Sequence, residues 1–229
     1  SFGAVPPASP AVQLDFAEEG LPFKEKDLPR LIKVRPIRDG HTLSMSWQLP
    51  AQLRHYQSKP QSYLSSLIGD EGHGSILSYL KDEGWASELT AGTGGDNFSH
   101  SSNCMIFTVE IDLTDKGLIH WTQVVKAVFQ YLEMLRRYPK GGLPAYLHEE
   151  TKQIAQMSFQ FMQEKDPCDL VIDLSERMLP IYHHESEHLL TAPWMYTEFR
   201  EDLIRPLLDG MKARQCFFML MSSSYGRAG

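Results

Sequence analysis

No run of about 20 apolar residues occurs anywhere in the sequence, so no helix able to span a bilayer is expected. Cysteine is scarce as well. Cys104, Cys168 and Cys216 are odd in number and widely spaced, and form neither a CxxC pair nor a disulfide framework. Cys104 and Cys216 fall in apolar, strand-like runs where a thiol acts as a small core hydrophobe, a usage that fits a reducing compartment. Positive charge is in deficit, with 22 Lys and Arg against 29 Asp and Glu and a net charge of −7. That balance excludes nucleic acid or anionic membrane as the main partner, because both need a basic face. The densest cationic group, Arg136-Arg137 followed by Lys140, comes at the end of an expected helix and suits its dipole. The opening SFGAVPPASPAVQ lacks the basic-then-apolar build of a signal peptide. With Ser1 in first place, the sequence reads as beginning in a linker, and a soluble protein of the cytoplasm or an organelle is expected rather than a secreted one.

The loops that mark common catalytic families are missing too: there is no GxSxG, no Walker loop and no GxGxxG after a strand. Gly92-Thr93-Gly94-Gly95 has the look of a phosphate cradle, but no Lys follows it, and it reads as a flexible loop. Asn97-Phe98-Ser99 fits an N-glycosylation acceptor, which matters only in a secreted protein.

One metal-ligand pattern is present. His184-Glu185-Ser186-Glu187-His188 fits H-x-x-E-H, in which two His one helical turn apart hold Zn²⁺ and Glu187 acts as base on bound water. The context is poor for it. Pro180 and a turn-like Tyr182-His183-His184 precede it and Pro193 follows, which leaves little room for a long helix. A third ligand would have to come from Glu198 or Glu201, both read as solvent-facing. A charged loop accounts for the match better than a zinc centre.

Hydrophobic content of 42% over 229 residues supports one large domain, or two closely packed halves, with a real core. An extended lead-in is expected over residues 1–27, a single domain over 28–222 and a tail over 223–229. Strands are expected at 31–37 and 42–49, the second from the alternation of Leu43, Met45, Trp47 and Leu49 with polar neighbours. Pro60 opens a helix to Ile68, the glycine-rich Gly69–Gly74 breaks it, and Ser75 caps another that Gly84 ends. Further strands are expected at 87–93 and 105–113. Leu118, Trp121, Val125, Val128, Leu132 and Leu135 make one apolar helical stripe. A helix over 144–162 is expected to bury Ile154, Met157 and Phe161. More helix is expected at 169–179, 193–198 and 199–208, and a closing strand at 215–222. Strands, then helices, then a returning strand point to an α+β layered sandwich, with Trp47, Phe107, Val109, Val125, Val128 and Leu132 in one core.

The run Tyr63-Leu64-Ser65-Ser66-Leu67-Ile68-Gly69-Asp70-Glu71-Gly72-His73-Gly74-Ser75-Ile76-Leu77-Ser78-Tyr79-Leu80-Lys81-Asp82-Glu83-Gly84-Trp85 resembles the second domain of the insulin-degrading (pitrilysin, insulinase) family of inverted zincin metalloproteases. The likeness continues through Val109–Thr114, Phe129-Gln130-Tyr131 and Phe199–Ile204, covering roughly Pro22 to Met221. It implies a mainly antiparallel sheet with helices on one face, in a domain without catalytic residues. Zinc would belong to a catalytic first domain of the same polypeptide, the domain's partner in walling a chamber around peptide substrates. The resemblance also implies an exosite for the substrate N-terminus at Gly69, Glu71 and the strand Leu89, Thr90, Ala91, Gly92 and Thr93. This sequence departs from relatives in having Ala91 where they carry a glycine, which puts a methyl on that strand. Two other readings accompany this one: a catalytically dead scaffold subunit of the same family, and a stand-alone zinc hydrolase using His184, Glu187 and His188.

Overall fold

A computed structural model of the chain describes residues 21–94 and 99–225. Most of the lead-in, Gly95, Asn97-Phe98 of the glycosylation pattern and the last four residues of the tail lie outside the described residues. Among the described residues five strands form one sheet: β1 (Arg30–Val34), β2 (His41–Pro50), β3 (Ala86–Thr93), β4 (Cys104–Leu113) and β5 (Cys216–Ser222). Their spatial order is β1-β5-β2-β4-β3. Only β1 and β5 run parallel; the other pairs are antiparallel.

Period-2 alternation decides which side of the sheet becomes core. Leu43, Met45 and Trp47 of β2 stand opposite Ile111, Val109 and Phe107 of β4, and all six are fully buried. The residues between them point to the other face and pair through polar side chains. Thr42 donates to Asp112, Ser44 to Glu110, and the Ser46 and Thr108 hydroxyls lie 2.9 Å apart.

Helices make the second layer, although only some of them reach the apolar face. The helices are α1 (Pro60–Ile68), α2 (Ile76–Asp82), α3 (Asp115–Ile119), α4 (Trp121–Arg136), α5 (Ala145–Gln160), α6 (Pro167–Arg177) and α7 (Glu201–Gly210). Local chemistry starts several of them. Pro60 and Pro167 hold first-turn positions, and the side-chain oxygens of Ser75, Thr114 and Asp166 accept amides of the first turn. Trp47, Phe107, Val109, Val128 and Leu132 share one core, while Val125 packs at its margin and Val124 takes the fully buried seat. Each large apolar side chain so buried stabilises the fold by about 1.5–3 kcal/mol. Arg136 ties the layers together, donating to the carbonyls of Leu208 (3.0 Å) and Met211 (2.7 Å) at the end of α7. The α+β layered architecture is as the sequence implies.

Three local expectations are corrected. The long stripe is not one helix but two, α3 and α4, which meet at His120. Within residues 193–198 there is only the end of a short turn, Ala192–Trp194, followed by chain without regular structure. There the Thr197 amide donates to the Gln57 carbonyl (2.8 Å), so it serves a tertiary contact in place of a helical one. Most consequential, Ile154, Met157 and Phe161 are 65%, 60% and 74% exposed. Val171 and Ile172 of α6 and Met178 just beyond it are similarly open. The α5 stripe is amphipathic as read, but it points away from this chain's core.

Candidate peptide-binding edge

The residues singled out for substrate binding meet at one edge of the sheet. Helix α1 ends at Ile68, and the Gly69 amide closes the turn on the Ser65 carbonyl at 2.8 Å. Any side chain at Gly69 would press on that carbonyl, and its Cβ would stand 3.8 Å from the Ala91 amide nitrogen. Glycine is therefore required by the helix end itself, while its approach to β3 is at ordinary van der Waals distance. At Gly92 a Cβ would come within 3.0 Å of Ser65 Oγ, a second close approach between α1 and the strand. Asp70 Oδ1 accepts the Gly72 amide (3.2 Å), Gly74 takes a left-handed φ of +86°, and Ser75 then caps α2. Within this turn Asp70 is engaged by the backbone, whereas Glu71 projects outward, its side chain 68% exposed. The nearest cation to Glu71 is Lys81, with Nζ 3.9 Å from Oε2.

Strand β3 is an edge strand: its one partner is β4, with Leu89 opposite Ile111, Thr90 opposite Glu110, Ala91 opposite Val109, Gly92 opposite Thr108 and Thr93 opposite Phe107. Among the described residues no strand lies along its other side. Leu89 is buried in the core and anchors the strand, while Thr90 is exposed. Ala91 stands opposite the buried Val109 and packs against the core. Its methyl therefore points into the fold and leaves the backbone edge clear.

The H-x-x-E-H segment is built differently from a zinc helix. His183 has a left-handed φ of 54°, His184 lies in no regular element, Glu185 is extended, and only Ser186–His188 form a short 3₁₀ turn. His184 Nδ1 donates to the Arg177 carbonyl (3.1 Å), and its ring packs on Tyr56 and Tyr182. His188 Nδ1 bonds the Tyr56 hydroxyl at 2.9 Å. Glu185, Glu187 and His188 bring ligand atoms within 4.8 Å of one another, both carboxylates exposed, and His184 is outside that group. Glu198 pairs with Arg200 (3.3 Å). Glu201, expected on a solvent face, is largely buried; it accepts the Gly141 amide at 2.8 Å and pairs with Arg205. These residues do not form the two-His, one-carboxylate constellation that catalytic zinc requires. The cysteines are free, Cys104 and Cys216 buried and Cys168 exposed, and burial pushes the Cys216 thiol pKa up.

Comparison with known proteins places this fold. Residues 2–154 match the family described as Peptidase M16 inactive domain, and residues 159–228 match the middle or third domain of peptidase M16. The chain belongs to the M16 peptidase family. It carries that family's inactive-type domain, and β5, which falls within the second match, lies between β1 and β2, so both matched regions share one sheet. Nardilysin of Homo sapiens is 34% identical over 203 residues, 89% of this chain and 17% of that protein. Insulin-degrading enzyme of Drosophila melanogaster is 35% identical over 206 residues, 89% of this chain and 20% of that protein. The M16 chain thus spans about a fifth of the length of these curated relatives. Among solved structures, pitrilysin superposes with a TM-score of 0.73 at 22% identity, over 85% of this chain and 20% of that one. The peptidase M16 inactive domain from Pseudomonas fluorescens gives 0.55 at 13%, over 87% and 44%.

Reading the sequence alone missed Lys81. Helix α2 has seven residues, about 10 Å of helix, so a lysine in its last turn can reach back to the turn that precedes it.

Proposed function

We propose that this chain is the non-catalytic, substrate-holding domain of a zinc metalloendopeptidase that degrades peptides in an enclosed chamber, and that it grips them by the amino terminus. The observation that carries the reading is the unpaired edge of β3, met at Ala91 by Gly69 of the turn whose Glu71 carboxylate is exposed. An extended peptide can add to such an edge as a further strand, bound through backbone hydrogen bonds that ask little of its sequence. A free α-amine, with an ordinary pKa near 7.7–8.0, is largely protonated at neutral pH and forms a charge-assisted bond with a carboxylate. Catalysis then belongs elsewhere. Zinc and its ligands are assigned to a catalytic domain of the same polypeptide, against which this domain packs. The open apolar residues of α5 and α6 support burial against other parts of a longer chain.

The test compares the unaltered protein with Glu71→Gln on an extended peptide bearing a free amino terminus and on its acetylated twin. Loss of the carboxylate weakens binding of the free-amine peptide by about 1–3 kcal/mol and leaves the acetylated one unchanged. Equal effects on both peptides would show that Glu71 serves the turn and does not read the amine.

A further inference from the structure

The carboxylate assigned to the substrate amine already has an ammonium beside it. Lys81 Nζ lies 3.9 Å from Glu71 Oε2, the two side chains being 46% and 68% exposed. Among the described residues Lys81 faces no other carboxylate within ion-pair distance. The adjacent Asp70 is occupied by the Gly72 amide. We propose that Lys81 is an internal competitor for Glu71, so that a ligand bringing additional contacts is favoured over one that offers only its charge. This rests on the reading of Glu71 as the partner of the substrate amine.

The physical argument is one of tethering. Lys81 is held on the last turn of α2, so its effective concentration at Glu71 far exceeds that of a dissolved small amine. The pair itself is weak, because both groups are in water and the contact is longer than a hydrogen bond. A free amino acid or small amine offers only its charge and gains little by exchange. An extended peptide brings the same charge together with backbone bonds to the β3 edge. Two ammonium groups at one carboxylate repel, so the peptide's gain comes at the expense of the Lys81 contact. Lys81 thereby biases binding toward extended chains with a free amino terminus.

The experiment measures binding of the free-amine peptide and its acetylated twin to the chain and to Lys81→Met, Lys81→Arg and Glu71→Gln, with thermal melts to confirm folding. Lys81→Met should tighten the free-amine peptide by about two- to fivefold and leave the acetylated twin unchanged, with Lys81→Arg close to the unaltered protein. If Glu71→Gln weakens the free-amine peptide but Lys81→Met does not tighten it, the competitor role is wrong while the reading of Glu71 stands. If Glu71→Gln changes neither peptide, or neither binds, the underlying reading fails and this inference with it.

Discussion

His148 is a titratable residue that the sequence shows but does not explain. The residue is 5% exposed, its Nε2 has no hydrogen-bond partner, and its ring packs against Tyr196 and Phe199. Burial holds its pKa below the ordinary 6.5, with Lys152 adding to the effect. Burial likewise lowers His100, His184 and His55. For each, the unfolded chain binds the proton more readily than the folded one, so stability is intact above about pH 6.5 and declines below it. The urea midpoint should therefore be lower at about pH 5.5 than at about pH 7.5, and His148→Phe should remove part of that difference. A midpoint that holds level on acidification would contradict this. Nothing in the residues around His148 announces its burial, because Tyr196 and Phe199 reach it from some 50 residues away. Gly69 shows the other side of legibility. Its place in a helix-breaking turn could be read directly, but its contact with Ala91 required the fold.

Among elements, those whose pattern is satisfied within the chain were legible and those whose apolar face the chain leaves open were not. Strands β2 and β4 alternate cleanly because one face meets the helices and the other meets solvent or cross-strand polar pairs. The α5 stripe has the same kind of regularity, yet periodicity marks only an apolar face, not what covers it. The segment after α6 misled for a different reason: its backbone amides and carbonyls are taken by distant groups. Lys59 Nζ donates to the carbonyls of Ala192 (2.9 Å) and Pro193 (2.6 Å), over the Tyr196 ring. Substitution separates covered from uncovered faces. Leu132→Ala, in the core of α4, should cost about 2–5 kcal/mol. Phe161→Ser and Ile154→Ser should each change the stability of this chain by less than about 0.5 kcal/mol in urea unfolding. If Phe161→Ser costs as much as Leu132→Ala, that face is buried within the chain itself.

For the whole molecule, the sheet has two edges with different surroundings. β1 pairs in parallel with β5, and β3 pairs with β4 beside the Gly69–Gly74 turn. Strand order could not be read from the sequence, since it depends on β5 returning from the far end of the chain to insert between β1 and β2. At the opposite end β3 is the outer strand because it pairs with β4 and no described strand lies beyond it, and the turn that carries Glu71 meets it at Gly69. The central claim is that a peptide adds to this edge and no other. The most direct measurement is amide hydrogen exchange across the chain, with and without an extended peptide carrying a free amino terminus. Amides of Leu89 to Thr93 should gain protection on peptide addition, while those of β1 and of α5 and α6 should exchange as before. Protection on β1 or on the α5–α6 face, with β3 unchanged, would contradict the account.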